Sequence, residues 1–76
     1  MPTVNLVFLA AFRDVAGTDR TTVEAATPRA ALAQLGILDA LVAQTPIVAV
    51  NQRICDLDTA LSSGDEVALM PPMTGG

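Results

Sequence analysis

Apolar positions along the chain follow two rhythms, one of period two and one of period three to four. Thr3 to Ala11 is rich in Val, Leu and Phe and reads as a β-strand, with Val4, Leu6 and Phe8 on one face and Asn5, Val7 and Leu9 on the other. Ala16-Gly17-Thr18-Asp19 marks a turn. Arg20 to Glu24 alternates loosely and is predicted as a second strand, hairpin-paired with the first. Thr27-Pro28 then opens a helix, because threonine caps and proline fits the first helical position. Ala30, Ala31, Leu32 and Leu35 follow at helical spacing, and Gly36 suits the stop. Ile37 to Ala43 fits either a second short helical turn or an irregular continuation. Pro46 to Asn51 is an unbroken apolar run, expected to be a central strand. Arg53-Ile54-Cys55 is a short partner after a tight turn. Ser62-Ser63-Gly64-Asp65 is another turn, and Glu66 to Met70 is the last strand. Pro71-Pro72 ends it by removing two ladder donors.

This order predicts an α+β layer pair, a mixed sheet of four to five strands with one main helix on one face. Residues 1–70 form the domain and 71–76 an extended C-terminal tail. One helix covers one sheet face only. If Leu6, Phe8, Val67 and Leu69 are core, then Val7, Leu9, Ala68 and Met70 share the open face, with Ile54 as a further member. Such a face predicts a docking surface beside the tail.

Composition narrows the chemistry. At 76 residues the chain is one small domain, and 51% of its residues are hydrophobic, so burial alone must hold the fold. It has one cysteine, no histidine and no lysine, and no cluster with metal-ligand spacing, so no disulfide, bound metal or bound cofactor is expected. A single thiol, Cys55, fits a structural role in a reducing compartment. The net charge of −4 leaves no basic patch for phosphates, which disfavours nucleic acid. Asp56, Asp58, Asp65 and Glu66 fall in one short stretch, either a solvated turn region or a patch that steers toward a basic partner. No run approaches the roughly 18 apolar residues of a membrane span, and Val4 to Phe12 lacks a basic leader, so a soluble cytoplasmic protein is expected.

The sequence closes on Pro71-Pro72-Met73-Thr74-Gly75-Gly76. Two residues without a Cβ make a thin, adaptable end that can thread a narrow slot. The prolines stiffen its root, and six extended residues reach at most about 20 Å.

From Ala49-Val50-Asn51-Gln52 through Gly64-Asp65-Glu66-Val67-Ala68 to the Pro-Pro-x-x-Gly-Gly ending, the chain resembles MoaD, the small sulfur-carrier subunit of molybdopterin synthase, in the MoaD/ThiS family. Phe8 to Thr18 is similar too, whereas Gly36 to Thr45 is compressed relative to that family. The resemblance implies a ubiquitin-like β-grasp fold and a carrier role. An E1-like adenylating enzyme of the MoeB type would use ATP to convert the Gly76 carboxylate to an acyl-adenylate, and a sulfur donor would then yield a thiocarboxylate. The tail would enter the large synthase subunit (MoaE type), where sulfur passes to cyclic pyranopterin monophosphate and builds the molybdopterin dithiolene. It implies a heterotetramer, Gly76 as the reacting residue and Gly75 as the residue giving clearance. Leu9, Ile54, Met70, Pro71, Pro72, Met73 and Thr74 would bind the partners. Three other readings compete with it: a carrier for another pathway such as thiamine thiazole synthesis, a ubiquitin-like modifier of lysines, and an interaction module with an inert tail.

Overall fold

The computed structural model describes residues 1–72. Five strands, β1 (Thr3–Phe8), β2 (Arg20–Glu24), β3 (Ile47–Val50), β4 (Arg53–Cys55) and β5 (Glu66–Met70), form one mixed sheet in the order β2-β1-β5-β3-β4. β1 and β5 run parallel at its centre, and the other neighbours are antiparallel, including the expected β1–β2 hairpin. Three short helices, α1 (Phe12–Ala16), α2 (Pro28–Gln34) and α3 (Leu38–Val42), accompany the sheet.

The first strand is shorter than its composition suggests. It stops at Phe8, and Ala10 adopts φ 53°, turning the chain into α1. Phe12, Val15 and Ala16 then reach the core from a helix rather than from a strand. Their i, i+3, i+4 spacing around the polar Arg13 and Asp14, followed by Gly17 at φ 76°, is a short helix signature that the strand and turn reading of this stretch left out.

Helix α2 begins and ends where its sequence directs. Thr27 Oγ1 accepts the Ala30 N–H at 3.1 Å, and Pro28 occupies the first turn. At the other end Gly36 sits at φ 74°. Its N–H donates to Ala33 O at 3.1 Å, and the Ile37 N–H donates to Leu32 O at 3.2 Å. This is a Schellman stop, and Ile37 packs against the core that contains Leu32. The ambiguous stretch after Gly36 is helical: α3 buries Leu41 beside α2.

The core lies between the helices and one sheet face. The registers Leu6↔Val67↔Val50 and Phe8↔Leu69↔Val48 place alternate residues of β1, β5 and β3 on that face. Leu6, Phe8, Val67 and Leu69 are fully buried there with Phe12, Leu32 and Leu41. Cys55, opposite Val48, is half-buried against the same cluster, a structural position for the lone thiol.

The ends of β3 and β5 are locked by one side-chain network. Asn51 and Gln52, at φ 50° and 70°, form the two-residue turn between β3 and β4. The Glu66 N–H donates to Asn51 Oδ1 at 3.0 Å, and the Asn51 N–H donates to Glu66 O at 2.8 Å. Asn51 Nδ2 donates to Asp65 Oδ1 at 2.9 Å, while Asp65 Oδ2 accepts the Ser62 N–H at 2.8 Å. Asn51-Gln52 and Gly64-Asp65-Glu66 are therefore two halves of one structure.

The Ser62 N–H and the Asn51 amide together hold the Asp65 carboxyl below the usual carboxylate range. A folded-state pKa lower than the unfolded one adds stability that is present above the ordinary value of about 3.9 and is lost as pH falls through the lower folded value. Asp65→Asn should lower Tm most at about pH 6, with the gap to wild type closing toward about pH 3. A Tm difference of equal size at both pH values would contradict this linkage. At Gly36 a Cβ would meet nothing within 4 Å, so the positive φ alone penalises Gly36→Ala. The loss in unfolding free energy should be about 1 kcal/mol by denaturant titration, with an unchanged circular dichroism spectrum.

Candidate docking face and tail exit

The helices cover one side of the sheet, and the opposite side divides into a polar half and an apolar half. In the polar half Thr22, Asn5 and Glu66 stand in register across β2, β1 and β5. Thr22 Oγ1 donates to Asn5 Oδ1 at 3.1 Å, and Arg20 lies 3.7 Å from the Glu66 carboxylate.

The next row is apolar. Val7, Ala68, Ala49 and Ile54 are cross-strand partners over β1, β5, β3 and β4, with Arg20 at the β2 end. Ile54 is 79% exposed, an isoleucine standing almost free on the short edge strand. Ala49 is only 5% exposed yet lies outside the core cluster, because it is hemmed in on the open face itself.

The last row lies at the end where β5 leaves the sheet. Met70 pairs with Ile47 on β3. On the other side the Leu9 N–H donates to Leu69 O at 3.0 Å, extending the β1–β5 ladder one bond beyond the strand and bringing Leu9 level with Met70. Leu9 is 40% exposed, while Met70 and Ile47 are half-buried. Pro71 is half-buried and Pro72 exposed as the chain departs.

The structure thus gathers Leu9, Ile54 and Met70, with Val7 and Ala68, on one apolar face beside Pro71-Pro72. Met73, Thr74, Gly75 and Gly76 lie outside the described residues. The alternation argument missed Ile47 and Ala49. The signal was available: once Val48 and Val50 are core, their neighbours on β3 must point the other way. Asp56 and Asp58 stand apart from this face. Arg29 Nε and Nη2 donate to the two Asp58 carboxylate oxygens at 2.9 and 3.2 Å, pinning the loop after β4 to the start of α2. That pair holds the Asp58 carboxyl below its ordinary range. Asp58 and Asp65 thus belong to two different local networks, one with Arg29 and one with Asn51 and Ser62. Among the described residues no three metal-ligating side chains cluster, and no helix is long and apolar enough to cross a membrane.

An exposed apolar sheet face that rises to the root of the C-terminal segment fits docking better than catalysis, since among the described residues its charged neighbours, Arg20 and Glu66, are exposed and lie in no enclosed cavity. The comparisons agree with that geometry. The model of the ThiS family matches residues 6–76. The molybdopterin synthase sulfur carrier subunit of Haemophilus influenzae is 38% identical over 80 residues, the match covering 96% of this chain and 99% of that one. Among solved structures, small archaeal modifier protein 1 of H. volcanii superimposes with a TM-score of 0.78 at 28% identity, covering 96% of this chain and 100% of that one. A chain in the protein–protein complex of subunits 1 and 2 of molybdopterin-converting factor from Helicobacter pylori does so with a TM-score of 0.68 at 25% identity, covering 97% and 99%. The fold is the ubiquitin-like β-grasp, and by sequence over almost its full length the chain belongs to the ThiS/MoaD family.

Proposed function

We propose that this chain is the sulfur carrier subunit of molybdopterin synthase, with Gly76 as the residue that carries sulfur. The observation that bears most weight is the apolar face that climbs from Ile54 through Ala49 and Ala68 to Met70, Leu9 and Ile47, at whose rim Pro71-Pro72 lead toward Gly75-Gly76. A relative that is 38% identical in sequence bears this function in its name, and the Helicobacter pylori likeness comes from a complex of two subunits.

The chemistry follows from what a carboxylate lacks. It is a poor electrophile, so an E1-like adenylating enzyme of the MoeB type joins a Gly76 carboxylate oxygen to the α-phosphorus of ATP and releases pyrophosphate. A sulfur nucleophile then attacks the carbonyl carbon, AMP leaves, and a thiocarboxylate remains. In the large subunit the terminal sulfur attacks a carbon of the pterin precursor and displaces an oxygen from it; water then cleaves the resulting thioester between the Gly76 carbonyl and the sulfur, which leaves the sulfur on the pterin and returns the Gly76 carboxylate. This chain has no histidine, the commonest general base near neutral pH, and no lysine. The large subunit supplies those groups, and the carrier works in the cytoplasm with no cofactor of its own. The absence of a Cβ at positions 75 and 76 gives clearance inside the partner's slot. Met73 and Thr74, in the same tail, belong to the proposed partner-binding residues.

A second reading is a protein modifier joined through Gly76 to target lysines, favoured by the likeness to the H. volcanii modifier protein. Both readings share the acyl-adenylate and part at the attacking atom, sulfur or amine nitrogen.

Intact mass of the chain from its own host separates them. A fraction heavier by one oxygen-to-sulfur exchange, lost on removal of Gly76, is expected. A ladder of lysine adducts without that fraction would favour the modifier, and neither species in the presence of activating enzyme and sulfur donor would defeat both. Ile54→Asp tests the face. Because Ile54 is 79% exposed, stability should change by no more than about 0.5 kcal/mol. Affinity for the large subunit should fall at least about tenfold by calorimetry. Undiminished affinity would remove this face from the interface.

A further inference from the structure

Among the described residues four non-glycine residues have positive φ, and two of them, Asn51 and Gln52, are explained by their hairpin turn. The other two are Ala10 at φ 53° and Thr45 at φ 52°. Neither type favours this region. The alanine side chain has no polar atom to stabilise it, and a β-branched threonine there is a true outlier. Thr45 also precedes Pro46, whose ring pushes the preceding residue toward extended conformations. Both strained residues fall at one place in the fold. Ala10 lies two positions past Phe8, whose partner on β5 is Leu69. Thr45 lies two positions before Ile47, whose partner on β5 is Met70. They therefore flank the point where β5 leaves the sheet, one on each side.

Each turn is fastened locally. The Ala10 carbonyl accepts the Arg13 N–H at 3.2 Å and Arg13 Nε at 3.3 Å, and the Thr45 N–H donates to Val42 O at 3.0 Å. Each turn also abuts a member of the upper apolar row. Leu9 precedes Ala10 directly, and Ile47 follows Thr45 by two. Strained residues persist where the surrounding structure over-determines them, and they collect at functional sites.

Resting on the carrier reading above, we infer that Ala10 and Thr45 are positioning residues: their paired left-handed turns hold Leu9 and Ile47 on either side of Met70 as a rigid collar for docking the large synthase subunit around the emerging tail. Relaxing the turns frees the collar without dismantling the core, which neither residue enters. The collar then has to be ordered at each encounter, and affinity falls.

Glycine at either position accepts the same φ without strain and adds backbone freedom. Ala10→Gly and Thr45→Gly should keep Tm within about 5 °C of wild type. The Leu9 amide in Ala10→Gly, and the Ile47 amide in Thr45→Gly, should exchange hydrogen at least about tenfold faster in the free chain. Each variant should bind the purified large subunit about fivefold more weakly, and the pair together about 25-fold. Thr45→Asn, which tolerates the left-handed region while keeping a side chain, should retain most of the affinity. Unchanged exchange would overturn the inference, and so would faster exchange with wild-type affinity. If the wild-type chain itself does not bind the large subunit, the carrier reading fails and the collar's role falls with it, whatever the variants do.

Discussion

The whole molecule turns on a shortage of helix. Five strands make a sheet with two faces, and three short helices can bury only one of them. Every strand therefore has to alternate between a core side and an open side. On the core side Leu6, Phe8, Val67 and Leu69 are fully buried against Phe12, Leu32 and Leu41. Apolar burial of that kind is the main source of stability available to a chain with no disulfide and one half-buried thiol. The open side is released from packing, and its composition can be set by partners instead.

That open side is organised by β5. As the central strand it pairs with β1 in parallel and with β3 antiparallel, so its two ends experience different surroundings. At its start, Asp65 and Glu66 are tied to Asn51 by side-chain and backbone hydrogen bonds, and the adjoining open face is polar. At its end, Met70 stands between Leu9 and Ile47, the face is apolar, and the chain leaves as Pro71-Pro72. One strand thus anchors at one end and presents at the other. A carrier needs this polarity, because the reacting group must be held away from the body that docks it.

The division of labour with a partner follows from the side chains available. No histidine and no lysine occur, and the cations are four arginines. Two of these are engaged in structural pairs, Arg20 with Glu66 and Arg29 with Asp58. The remaining two, Arg13 and Arg53, are both exposed, so the described residues hold no buried cation.

Sequence alone determined the succession of the five strands along the chain, the position of α2 with its Thr27 cap and Gly36 stop, and the core residues of β1 and β5, because these depend on local periodicity and on turn chemistry. It also determined the family, through the ordered elements around Asn51, Asp65 and the Pro-Pro-x-x-Gly-Gly ending. Leu9, Ile54 and Met70 were legible as open-face residues by alternation. Ile47 and Ala49 were hidden because an unbroken apolar run does not declare which of its members face the core. The first strand was read too long, to Ala11, because Leu9, Ala10 and Ala11 continue its apolar run, and only the reversal at Ala10 ends it. Tertiary structure alone decided the registers that align Val7, Ala68, Ala49 and Ile54 in one row, and the meeting of Asn51 with Asp65 across 14 residues of sequence. It also set the two left-handed turns beside the exit of β5. Those are long-range facts: they arise from which strands pair and where pairing stops, and no local pattern of hydrophobic and polar positions encodes either.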